Sequence, residues 1–93
     1  MIIGTARLKL YAPWVHSLKE KRIIVKSIIA KTKNKFNVSI AEIGEQDRHQ
    51  TIILGVACVA ETVIRSDAII DKVIKFIESS NQSEIQEVRR ELR

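Results

Sequence analysis

The run Thr51-Ile52-Ile53-Leu54-Gly55-Val56-Ala57-Cys58-Val59-Ala60 constrains the fold more than any other stretch of the chain. At the two-residue period of a strand, Ile52, Leu54, Val56 and Cys58 fall on one side and Ile53, Gly55, Ala57 and Val59 on the other. A strand apolar on both sides suits the middle of a sheet, where both faces are shielded. Small Gly55 and Ala57 permit a neighbour to come close on one of those sides.

The rest of the chain supplies the neighbours. Ile2, Gly4, Ala6, Leu8 and Leu10 alternate with Ile3, Thr5, Arg7, Lys9 and Tyr11, which predicts a strand over 2–11. Pro13 cannot donate to a ladder and holds Ala12 extended, so that strand ends there. Ser17, with Glu20 three residues on, forms a capping-box pattern that opens a helix running to about Lys35. On that helix Leu18, Ile24, Val25, Ile28, Ile29 and Thr32 gather on one side, with Ile23 and Ala30 toward solvent. Phe36, Val38 and Ile40 alternate with polar or small residues, predicting a second strand over 36–43. A polar connection, 44–50, leads into the central run. Thr62 caps a second helix, 63–79, expected to bury Val63, Ile70, Val73, Ile74 and Ile77 and to expose Asp67, Asp71 and Glu78. The last strand, 84–92, does not alternate cleanly at Ile85 and Val88, as a bulge would explain.

The order βαββαβ is the ferredoxin-like split βαβ pattern, an α+β fold. Right-handed crossovers place both helices on one face of an antiparallel sheet ordered 4-1-3-2. With 93 residues there is room for one such domain, spanning 1–93, and no deep pocket is expected. The other sheet face, with Ile3, Thr5, Arg7, Lys9 and Tyr11, is left uncovered by the chain and open to self-association. Arg7 and Lys9 are expected to pair there with Glu87 and Glu91 of the last strand.

Charge is concentrated. Seven basic residues between His16 and Lys35 meet Glu20 alone, whereas the remaining nine meet ten acidic ones. The whole of the +5 net charge thus arises in the first helix and its exit. Lys19, Arg22, Lys26 and Lys33 form a stripe beside the apolar side, and Lys21 with Arg22 extends the helix start. A polyanion is the natural partner of such a stripe, because each phosphate neutralised releases counterions. Base-stacking aromatics of the kind used by sheet-face RNA binders are missing from the central strands, so backbone and shape recognition through the helix is expected.

Other chemistries find little support. Cys58, His16 and His49 are scattered, so neither a metal site nor a Cys–His nucleophile is expected, and no cofactor. Three isolated glycines make no phosphate loop. Glu42, Glu45, Asp47 and His49 are expected to be a solvated loop, an enzymatic use of which is the minor alternative. No apolar run is long enough to span a bilayer and residues 1–4 do not open a signal peptide, which with one unpaired cysteine favours the cytoplasm.

Pro13, the run His16-Ser17-Leu18-Lys19-Glu20-Lys21-Arg22, then Phe36 to Glu42, Gln46-Asp47 and Leu54-Gly55-Val56-Ala57 together resemble the YlxP-like family of small bacterial proteins. The likeness covers nearly the whole chain and departs from the family pattern at Trp14 and His49. It implies the ferredoxin-like fold and a gene context of translation and ribosome maturation, with no assigned activity. The expectation is a non-enzymatic RNA-binding or ribosome-associated factor that contacts phosphates through Lys19, Lys21, Arg22, Lys26 and Lys33. The alternative is an interaction module that homodimerises through the open sheet face.

Overall fold

A computed structural model describes residues 1–93. The elements are β1 (Ile2–Tyr11), α1 (Leu18–Lys35), β2 (Ser39–Gly44), β3 (Thr51–Ala60), α2 (Val63–Ser80) and β4 (Glu84–Leu92). All neighbouring strands are antiparallel, in the order β2-β3-β1-β4. This is the ferredoxin-like arrangement that the residue pattern predicts.

One side of the sheet carries the core. Ala6, Leu8 and Leu10 of β1 and Ile52, Leu54, Val56 and Cys58 of β3 are buried together with Val25 and Ile28 of α1 and Ile70, Val73 and Ile77 of α2. Close approach of α2 to β1 depends on Gly4, where an added Cβ would run into Ser66 Oγ. The buried Cys58 Sγ lies 3.6 Å from the same hydroxyl, so it packs as a small core residue.

Ser17 caps α1 by accepting from Glu20 N at 3.1 Å, and Glu20 Oε2 accepts from His16 N at 3.4 Å, so the reciprocal bond lands one residue before the cap. Thr62 caps α2 in the same way through Arg65 N. Both sheet edges are irregular. Gln86 is an extra residue on β4 between the Lys9–Glu87 and Leu10–Ile85 pairs, which brings Ile85 and Val88 to one face despite their three-residue separation. Ile43 is the corresponding extra residue on β2, and its side chain lies across Gly55.

Three expectations need correction. Strand β2 starts at Ser39, because Phe36 is the C-cap of α1, its N–H bonding Thr32 O; its ring packs edge-on against Phe76 at 5.6 Å. Val63, the first residue of α2, is 43% exposed, because the first turn of that helix faces the sheet through Ser66, packed against Gly4, rather than through Val63. On the open face, Lys9 stands opposite Glu87, but the acids pair along their own strand, Arg89 with Glu87 at 2.8 Å and Arg93 with Glu91 at 3.0 Å. Arg7 stands directly opposite Arg89 instead.

Candidate nucleic-acid interface

Helix α1 lies on the sheet through Lys21, Val25, Ile28 and Thr32, the residues it buries. These recur at the four- and three-residue steps of one helical face. The opposite arc is solvent-exposed. Lys19, Arg22, Lys26 and Lys33 all lie on it, and none of them is within ion-pairing distance of a carboxylate. Their spacing along the axis spans about 21 Å from Lys19 to Lys33 at 1.5 Å per residue. Six ion pairs do form in the molecule, and every one lies elsewhere. Arg90, for example, bridges β4 to Asp71 at 2.5 Å and Asp67 at 3.5 Å on α2.

Lys21 does not belong to this surface. It is 1% exposed, and its ammonium donates to the carbonyls of Glu45 and Arg48, both at 2.6 Å. Glu42 Oε2 lies 3.0 Å from the same Nζ but out of line with a hydrogen bond, so their attraction is Coulombic. The two hydrogen bonds fasten the 45–50 connection to the start of α1, and the Glu42 contact ties β2 to it. Gln50 completes the fastening by donating to Pro13 O at 3.0 Å and Val15 O at 3.2 Å. Within the connection Glu45 adopts a left-handed φ of 53° and pairs with Arg48 at 3.1 Å. A phosphate contact by Lys21 is therefore replaced by a structural role, and Glu42 is turned inward rather than solvated.

The neighbouring arc of α1 holds a feature that residue-type counting missed. Trp14, Ile23, Ser27 and Lys31 line a groove of about 310 Å³ between α1 and the Ser80–Gln82 turn. Trp14 is 36% exposed and Ile23 62% exposed. Position Ile23, outside the apolar side of the helix, was the visible signal. Farther along, Lys35 Nζ sits 4.9 Å above the Phe76 ring, a cation–π contact that holds this exposed lysine against α2.

The histidines and the cysteine stay apart. His16 and His49 are exposed in the loops at one end of the sheet, while Cys58 is buried beside Gly4 toward the other end. No group of three His, Cys, Asp or Glu side chains is placed to hold a metal ion. No helix is long and apolar enough to cross a membrane.

The model of a protein family of unknown function, DUF503, matches residues 3–90. The chain belongs to the DUF503 family. Within the family it is 40% identical over 78 residues to the uncharacterised protein YlxP of Bacillus subtilis, covering 84% of this chain and 85% of that protein. Among solved structures, a de novo designed ferredoxin-fold protein, LFR1 1, matches all of the DUF503 chain and 86% of its own, with a TM-score of 0.63 and 20% identity. The designed protein Foldit4 matches 97% of this chain and 94% of its own, with a TM-score of 0.51 and 15% identity. Both likenesses concern the fold alone. Several of the residues that carry the family resemblance have structural duties here: Ser17 and Glu20 cap α1, and Lys21 and Glu42 clamp it to β2 and the following connection.

Proposed function

We propose that this DUF503 protein is a non-enzymatic RNA-binding factor of the cytoplasm, acting on ribosomal RNA or ribosomal particles, with the exposed arc of α1 as its contact surface. The observation that carries this reading is the complete lack of carboxylate partners for Lys19, Arg22, Lys26 and Lys33 in a molecule that pairs six of its eleven acids. An isolated surface ion pair contributes little to stability, so nothing in folding demands that these four cations be aligned. Aligned on one rigid helix, they match a line of phosphates, and phosphate neutralisation is strongly favoured at low salt. Arg22 adds the planar fork that holds a phosphate through two hydrogen bonds. The gene context implied by the YlxP-like resemblance points the same way.

Fluorescence anisotropy with a labelled hairpin from ribosomal RNA tests the reading. Wild-type protein should bind, and the variant K19E/R22E/K26E/K33E should not, while both give the same circular dichroism. Equal, negligible binding by the two proteins would end the proposal.

A further inference from the structure

We infer that the open face of the sheet is the contact surface of a symmetric homodimer, in which Arg89 and Arg93 of each protomer meet Glu91 and Glu87 of the other. The partner is a second copy of this chain, and the register follows from the strand pairing.

Along the open side of β4 the charges alternate as Glu87, Arg89, Glu91, Arg93, standing opposite Lys9, Arg7, Thr5 and Ile3 of β1. Toward β2 the same face turns small and apolar. Gly55 and Ala57 floor a trough of about 390 Å³, and Ile43, 53% exposed, overhangs it. At its end Val59 is 65% exposed. The face is therefore half charged and half apolar, and neither helix covers it.

Three ways of stacking two such faces about a twofold axis can be compared. An axis parallel to the strands sets the charged half of one copy on the apolar half of the other, which removes charges from water with nothing to pair them. An axis perpendicular to the strands through the Arg7–Arg89 row sets Arg89 on Arg89 and Glu87 on Glu91, like against like. Shifted by half a row, to lie between the Arg7 and Thr5 rows, the perpendicular axis sets Arg89 on Glu91 and Arg93 on Glu87, twice over. The same operation lays the Gly55 row, covered by half-exposed Ile43, on Ala57, and brings exposed Val59 toward the end of the face where Ile53 is already buried, so the apolar contact is carried by Ile43, Ala57 and Val59. Of the three, only this register pairs opposite charges along β4 while leaving the small residues of β3 together, with Lys9 over Ile3 as its one unmatched contact; such self-complementarity is what an isologous interface requires. Sheets packed face to face lie about 10 Å apart, a gap that an arginine and a glutamate span together and that Ile43 fills over the glycine.

The isolated protomer has reason to accept the contact. Arg7 faces Arg89 across the ladder, a like-charge pair that destabilises a sheet, and Arg7 has no acid partner of its own. Bringing Glu91 of the second copy over this pair supplies the missing negative charge. The pairs that Glu87 and Glu91 make within β4 are exposed and weakly held, so they yield readily.

Sedimentation equilibrium of the full chain over a wide concentration range tests the register. Wild type should dimerise. Arg89→Glu and Glu91→Arg should each weaken self-association about tenfold or more, since each then sets like charges together. An equimolar mixture of R89E and E91R should restore the dimer, because both contacts in the mixed pair are again opposite in sign. Ala57→Arg, on the open side of β3 away from the β4 edge, should abolish association with the fold intact; a dimer that survives it would show edge-to-edge β4 pairing instead. A wild type monomeric at every concentration, single variants that dimerise normally, or a mixture that stays monomeric would each overturn the inference. Because α1 lies on the other side of the sheet, RNA binding by A57R reports on the basic helix independently.

Discussion

Lys21 and Glu42 show how a charged residue can be structural in a position that residue type alone assigns to a surface. Lys21 shares the helical face of Val25, Ile28 and Thr32, and Glu42 shares the strand side of Ile40, so both sit at core positions by periodicity. The signal was in the sequence, as spacing rather than polarity. Removing one partner of such a pair strands the other, along with the two carbonyls that the ammonium serves. Lys21→Met is expected to destabilise the protein by about 3 kcal/mol in urea unfolding, the lower end for breaking a buried pair because Glu42 keeps some contact with water. Adding Glu42→Gln should recover part of the loss. Gly4 illustrates the same scale in the core. Gly4→Ala should cost about 1–3 kcal/mol through overpacking against Ser66, and Ser66→Ala in the same chain should relieve part of it.

At the scale of elements, the helix ends and the central strand were legible because their signals are local. Ser17 and Thr62 announce the two helices, and the two-sided apolar run places β3 in the interior. The bulge at Gln86 was legible as a broken alternation. The late start of β2 was not, since Phe36 and Val38 are apolar for a different reason: both pack against the core edge after α1 has ended. For the candidate interface, the wheel places four of the five cations on the exposed arc and Lys21 on the core side, while the groups that receive Lys21 there, the carbonyls of Glu45 and Arg48, come from a distant loop that no local pattern reveals. Ser17→Ala separates helix stability from helix charge. It should lower stability by about 1 kcal/mol in thermal or urea unfolding and leave the salt dependence of RNA binding unchanged.

For the whole molecule, the two proposed contacts fall on opposite sides of the sheet. The helical side carries the aligned cations of the proposed RNA contact, and the open side carries the self-complementary surface of the proposed dimer. A dimer built that way carries its two α1 helices on opposite outer surfaces, so dimerisation and RNA binding do not compete. The groove beside Trp14, the single tryptophan of the chain, borders the proposed RNA surface. Its intrinsic fluorescence should change when RNA covers α1, and a titration without any change would place the ligand elsewhere. In lysates of the native cells, the protein should sediment with ribosomal particles at low salt and be released at high salt.

The most direct measurement is the slope of log affinity for a ribosomal RNA hairpin against log salt concentration. Four phosphate contacts should give a slope of about −3, and each single change of Lys19, Lys26 or Lys33 to Ala should reduce its size by about 0.7–0.9, with Lys31→Ala as a control off the stripe. A slope near zero, or one that these substitutions leave untouched, would contradict phosphate recognition by the first helix.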